Sequence, residues 1–229
     1  MTIGILECGL TPSDLRDQFG SYDAMVRRLL GPGRAVTTYR VTEGELPPMA
    51  TACDAYVLTG SSAGVYDPLP WIPGLLGFLR EARGRAKMVG ICFGHQAMAE
   101  AFGGSAIKSQ KGWGIGLQRY DVAHRAPWMD GVDHVDAPAS HQDQVVTPPP
   151  GARVIAASAF TPYAGLDYGD AISFQFHPEF DAAFGVALIE SRLQRYGELA
   201  DPAIASYARP GDGARVGGWI RRFLDDAEA

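Results

Sequence analysis

The stretch that most constrains this chain is Met88-Val89-Gly90-Ile91-Cys92-Phe93-Gly94-His95-Gln96, where a short apolar run stops at a cysteine and a helix-forming run begins. Val89 and Ile91 lead in as a buried strand, and Ala97, Met98, Ala99, Ala101 and Phe102 follow with helical composition. A strand, a sharp turn and a helix in so few residues put Cys92 at a helix N-terminus, where unpaired N–H groups and the helix dipole favour a thiolate. Gly90 and Gly94 stand two residues to either side and let backbones approach where a Cβ would collide. That is the mechanical need of a nucleophile elbow, here with a thiol in place of a serine hydroxyl. A buried structural cysteine between two packing glycines would satisfy the same five residues, so the rest of the chain has to decide.

Around the elbow, strand and helix alternate. Ile3 to Leu6 reads as a first strand and Tyr22 to Leu30 as a helix with Met25, Val26, Leu29 and Leu30 on one face. Ala35 to Val41 suits a strand near a sheet edge. Asp54 to Leu58 reads as a third strand that runs into the polar loop Thr59-Gly60-Ser61-Ser62-Ala63-Gly64, and Trp71, Ile72, Leu75, Leu76 and Leu79 share a face of the next helix. This order predicts an α/β fold, a mostly parallel sheet with helices on both faces, whose sites are built in loops at strand ends. From about Ala106 to Phe176 the pattern changes to short runs at Gly116–Val122, Val154–Ala159, Tyr163–Asp167 and Ala171–Phe176, which predicts antiparallel or mixed strands added to the sheet. Asp181 can cap a helix carrying Val186, Ile189, Leu193 and Tyr196 up to Gly197. Trp219, Ile220, Phe223 and Leu224 predict a last docking helix, with Asp225, Asp226 and Glu228 unfavourably placed at its negative end. The expectation is one domain over 1–229, the helices from about 181 packing on the core.

Charge and cysteine usage narrow the function. The formal charge is −6 and no basic run exceeds the Arg27-Arg28 and Arg221-Arg222 pairs, which argues against nucleic acid as a main partner. Cys8, Cys53 and Cys92 are odd in number and lack C-x-x-C spacing, so neither a disulfide framework nor a metal site is expected. The chain starts directly in a strand-like run and has no apolar stretch of bilayer length, so a cytoplasmic protein without a leader or membrane partner is expected.

A cysteine nucleophile needs a base, and the base an orienting group. His177 ends the Ala171-Ile172-Ser173-Phe174-Gln175-Phe176 run, and Glu179 follows two residues on, so in extended geometry both side chains project to one side while Pro178 stiffens the bend. His141 competes, with Asp143 at the same spacing; His177 has the clearer strand-end setting. His95 is too local to Cys92, and His124 and His134 lie in polar stretches. The order Cys92, His177, Glu179 puts base before acid, against the order nucleophile, acid, base of an α/β-hydrolase. Gly112-Trp113-Gly114-Ile115-Gly116 has dinucleotide-loop glycines but no following helix, so no nucleotide cofactor is expected.

Gly90-Ile91-Cys92-Phe93-Gly94-His95-Gln96 resembles the G-x-C-x-G-x-Q signature of class I glutamine amidotransferases, and Phe176-His177-Pro178-Glu179 resembles their H-P-E segment. The two motifs stand in that family's order, and the resemblance spans most of residues 3 to 190. It implies a flavodoxin-like three-layer fold, a triad of Cys92, His177 and Glu179, and an oxyanion hole from Gly60 and the Phe93 N–H. It also implies that Gln96, Ser62 and the Ser140-His141-Gln142 segment hold a glutamine or γ-glutamyl substrate, which is cleaved through a γ-glutamyl thioester on Cys92. Ser61-Ser62 after Gly60, and Gln142 in place of a glycine usual in GMP synthetases, look more like the stand-alone γ-glutamyl peptidase-like branch. The alternatives are a glutaminase subunit inactive without a separate synthetase, or an elbow-cysteine peptidase or chaperone. That last group typically has His after the cysteine, where this chain has Phe93.

Overall fold

A computed structural model describes residues 1–226. The first half contains β1 (Thr2–Glu7), α1 (Ser13–Phe19), α2 (Tyr22–Leu30), β2 (Ala35–Arg40), β3 (Ala55–Leu58), α3 (Trp71–Ala82), β4 (Lys87–Ile91) and α4 (Phe93–Ala101). The second half contains β5 (Ser105–Lys108), β6 (Gly114–Val122), β7 (His134–His141), β8 (Asp143–Thr147), β9 (Arg153–Ala157), β10 (Gly165–Asp167), β11 (Ala171–Phe174), α5 (Ala182–Glu190), α6 (Leu193–Tyr196), α7 (Ala200–Ser206) and α8 (Gly213–Asp225).

Nine strands form one sheet in the order β2-β1-β3-β4-β11-β10-β9-β6-β7, and β5 pairs with β8 in a small second sheet. The strands from β2 to β11 are parallel, and every pairing from β11 through to β7 is antiparallel. The alternating side chains of the parallel strands explain the layers. Ile3, Ile5, Val57, Val89, Ile91, Ile172 and Phe174 pack on one face against α2 and α8, whose Val26, Leu29, Trp219, Ile220 and Phe223 are buried there. Leu6, Tyr56, Leu58 and Met88 pack on the other face against Ile72, Leu75, Phe78 and Leu79 of α3 and Ala97 and Met98 of α4. The fold is therefore a flavodoxin-like helix–sheet–helix sandwich with an antiparallel extension, as expected. Its parallel strands β3, β4 and β11 are neighbours, so Gly60, Cys92 and His177, which follow their C-terminal ends, converge at one edge of the sheet.

Three expectations need correction. The run predicted as strand to Phe176 ends at Phe174, because Gln175 N–H turns to Ala164 O and His177 N–H to Pro138 O, 2.8 Å each. The helix capped by Asp181 forms, with Asp181 Oδ1 accepting from Phe184 N–H at 2.7 Å, but it stops at Glu190 rather than running to Tyr196. The chain turns at Ser191-Arg192 so that Tyr196 can bury beside Ile115, Ile189 and Ala200. The acidic end of α8 is compensated: Asp225 pairs with Arg34 Nη2 at 2.7 Å, and Lys87 Nζ donates to Phe223 O at 2.7 Å and to Asp226 O. Glu228 lies outside the described residues.

Candidate active site

Cys92 is the N-cap of α4 at φ 52° and ψ −102°, and among the described residues it is the one non-glycine in the left-handed half of backbone space. Such a conformation is strained and persists because its surroundings fix it. Its N–H donates to Phe174 O of β11 at 2.8 Å, and its carbonyl accepts the first helical bond from Gln96 N–H at 3.1 Å. The flanking glycines are required by contact: a Cβ on Gly90 would lie 2.6 Å from Gly94 O and Met98 Sδ, and one on Gly94 would lie 2.6 Å from Leu58 Cβ. The elbow is thus wedged between its own helix and β3, with Cys92 5% exposed.

His177 and Glu179 meet, but across a turn and not in the extended geometry expected, since the strand ends at Phe174 and Phe180 N–H donates to His177 O at 3.3 Å. His177 Nδ1 lies 2.8 Å from Glu179 Oε1, and both side chains are buried. The imidazole also stacks flat on Phe180, centroids 4.0 Å apart and planes 6° from parallel, which fixes the ring's plane as well as its edge. Burial disfavours the imidazolium, but the Glu179 carboxylate and the Cys92 sulfur outweigh it and lift His177 to about 10. Gly60 closes the group: a Cβ there would come within 3.0 Å of His177 Cε1 and 3.7 Å of Cys92 Cβ.

His141 is separated from this role by its partners. Its Nδ1 lies 3.1 Å from the backbone oxygen of Asp143, while the Asp143 carboxylate accepts from Tyr66 Oη–H at 2.9 Å. Burial, and then the positive charge of His177, hold His141 down at about 4, so it is neutral near pH 7. His95 is buried on α4 beside Ser173 Oγ at 2.7 Å and is held at about 3 by burial.

A cleft of about 270 Å³ opens from Cys92 and is lined by Ser62, Gln96, Ser140, His141 and Gln142, all expected to touch substrate, together with Tyr66, Asp67, Lys108, Trp113, Asp143, Arg192 and Arg195. A smaller pocket of about 30 Å³ joins Gly60, Cys92, Ser140, His177, Phe180 and Arg192. Gln96 is more constrained than expected, because its Nε2 donates to Asp143 O at 3.0 Å and to Gln175 Oε1 at 3.1 Å. It holds the β7–β8 turn in place, and its carbonyl oxygen has no partner among the described residues. The Phe93 ring packs inward against Trp71, centroids 5.4 Å apart, and its N–H lies in the first turn of α4, where a helix supplies no partner.

The cleft's cations and Phe180 were not anticipated from sequence. Phe180 had a usable signal, an aromatic directly after the His-Pro-Glu segment; Arg192 had none, since it depends on where α5 breaks. Of the glycines of residues 112–116, Gly112 precedes β6 and Gly114 and Gly116 lie within it, so they form no dinucleotide loop. Among the described residues no group of three or more His, Cys, Asp or Glu side chains could hold a metal ion, and no helix is long and apolar enough to cross a membrane.

The fold and this edge of the sheet define a class. The chain belongs to the class-I glutamine amidotransferase family, whose model matches residues 14–191. It is 28% identical to gamma-glutamyl peptidase 4 of Arabidopsis thaliana over 174 residues, covering 71% of this chain and 69% of that protein. It is 30% identical to the glutamine-hydrolyzing GMP synthase of Thermus thermophilus over 195 residues, covering 80% of this chain but 36% of that protein. A crystal structure of a glutamine amidotransferase from Thermotoga maritima shares the fold, with a TM-score of 0.79 at 18% identity and coverage of 98% of this chain and 96% of that one. Family and relatives together make the chain an enzyme of the amidohydrolase and amidotransferase class.

Proposed function

We propose that the chain is a cysteine-dependent amidohydrolase that cleaves glutamine or a γ-glutamyl amide, with Cys92 as nucleophile, His177 as base and acid, and Glu179 as the group that orients His177. One observation carries the reading: Cys92, strained at the mouth of a helix, faces an imidazole whose other nitrogen is 2.8 Å from a buried carboxylate. The raised His177 favours an imidazolium that can give its proton to a departing nitrogen.

The chemistry follows from those groups. The Cys92 Sγ–C bond forms at the γ-carbonyl while charge develops on oxygen, which the N–H groups of Gly60 and Phe93 would receive. Each such donor is worth roughly 3–4 kcal/mol in comparable sites. The C–N bond then breaks as His177 gives its proton to the departing nitrogen, leaving a γ-glutamyl thioester. Water, losing a proton to His177, attacks that carbon and frees glutamate and the thiolate. Ser62, Gln96 and the Ser140-His141-Gln142 segment line the cleft where the amino-acid end of the γ-glutamyl group would lie. We read the whole chain as one domain working in the cytoplasm.

Steady-state release of ammonia from glutamine, and of amine from γ-glutamyl peptides, tests this. Cys92→Ser is expected to lose on the order of 10⁴-fold or more in kcat/KM; wild-type rates in that variant would remove the proposal. The 36% coverage of the Thermus synthase favours a second reading, in which the isolated chain is idle until a separate synthetase docks. Robust turnover by the chain alone would exclude it.

A further inference from the structure

We propose that Arg192 makes this a site for γ-glutamyl compounds whose leaving amine carries a carboxylate, namely γ-glutamyl amino acids and short peptides, by receiving that carboxylate on its guanidinium. The inference rests on the reading of Cys92 as nucleophile given above. Arg192 lies in the turn between α5 and α6, at φ −131° and ψ 24°, where the helix expected to continue is broken. That break places a half-buried guanidinium in the wall of both the small pocket over Cys92 and the larger cleft.

Two features make it a binding group rather than a structural one. Its side chain has no hydrogen-bond or ion-pair partner among the described residues, whereas Arg27, Arg34, Arg119, Arg209 and Arg215 are all paired with carboxylates. A guanidinium carries five donors in a planar fork that matches a carboxylate. Its position also selects a side of the substrate. The departing nitrogen must lie within reach of His177, and His177 and Arg192 share the small pocket. Ser62, Ser140 and Arg192 line both spaces, whereas Gln96, Gln142 and the two cleft carboxylates, Asp67 and Asp143, line only the larger cleft, so the amino-acid end lies toward these last and the leaving group toward His177. A group attached to the leaving nitrogen therefore extends past His177 toward Arg192. Ammonia from glutamine carries nothing for Arg192 to hold. Farther out, Arg195 sits over the Trp113 ring at 5.6 Å and adds positive charge to the same rim.

The test compares γ-glutamylglycine and γ-glutamylglycylglycine with their C-terminal carboxamides, measuring released amine for wild type, Arg192→Gln and Arg192→Lys. Any general damage from a substitution cancels in the acid-to-amide ratio of kcat/KM. The wild-type ratio is expected to be about tenfold or more for at least one pair, carried by KM, as a charged hydrogen bond in a half-buried site supplies. Arg192→Gln should bring it to about one, and Arg192→Lys should keep an intermediate value because a point charge lacks the fork. A wild-type ratio near one for both pairs overturns the inference. So does a ratio that Arg192→Gln leaves intact, which would show that another group holds the leaving-group carboxylate. Hydrolysis of glutamine with refusal of every peptide overturns this inference alone; refusal of all substrates overturns the reading of the site with it.

Discussion

His177 Nδ1 and Glu179 Oε1 stand 2.8 Å apart, with the two side chains 5% and 2% exposed, so a two-residue step across Pro178 builds a buried imidazole–carboxylate pair. Among the described residues Glu179 Oε2 has no partner, which leaves the carboxylate's interaction concentrated on the imidazole. Glu179→Gln keeps the shape and removes the charge. It is expected to lower kcat by about 10²–10⁴-fold, as loss of an orienting carboxylate does elsewhere, and to shift the His177 titration downward in an NMR experiment.

The buried histidines set a stability profile whose sign can be worked out. His177, lifted to about 10, holds an extra proton in the folded state, so its stabilisation is complete below the unfolded value near 6.5 and is lost as pH rises toward 10. His95 and His141, held at about 3 and about 4, do the reverse: the unfolded chain binds their protons first, so stability falls as pH drops below about 6.5. Each group contributes at most about 1.4 kcal/mol per pH unit within its window. Urea unfolding across pH should therefore give a maximum near 6.5 from these three, with the alkaline limb flattened in His177→Gln.

The elbow tolerates no Cβ at Gly90. Gly90→Ala presses on Gly94 O and Met98 Sδ at 2.6 Å, and the backbone atom cannot swing away. The variant should lose about 1–3 kcal/mol in urea unfolding, the usual cost of overpacking, together with activity, because the turn that presents Cys92 is what shifts.

How much of this was legible in the sequence follows from which contacts are local. Gly90, Cys92 and Gly94, and likewise His177 and Glu179, encode their geometry within five residues; the elbow formed as read, and the His177–Glu179 pair formed across a turn in place of an extended step. β7 was missed because Asp136 and Pro138 oppose a strand assignment; its Asp136 is accommodated by Arg119 at 3.0 Å and Arg209 at 3.1 Å, which are distant in sequence. β5 and β8 are harder to read because, among the described residues, they pair only with each other. The break after Glu190 depends on where Tyr196 finds its pocket, so Arg192's place in the site could not be read from helical periodicity.

Gln96 is a positioning residue in this account. Gln96→Glu is isosteric but cannot donate to Asp143 O and Gln175 Oε1, and a buried carboxylate facing a carbonyl costs stability. The β7–β8 turn should loosen, with KM rising about tenfold or more while kcat falls less; steady-state kinetics with a urea midpoint check it.

Cys92, and neither Cys8 nor Cys53, is proposed as the nucleophile; all three are free and buried. Peptide mapping by mass spectrometry after treatment with a diazoketone analogue of glutamine tests it most directly. One adduct per chain is expected on Cys92, slowed by glutamine or a γ-glutamyl peptide and absent from Cys92→Ala. An adduct on Cys8 or Cys53 that tracks the loss of activity, or full inactivation with Cys92 unmodified, would contradict it.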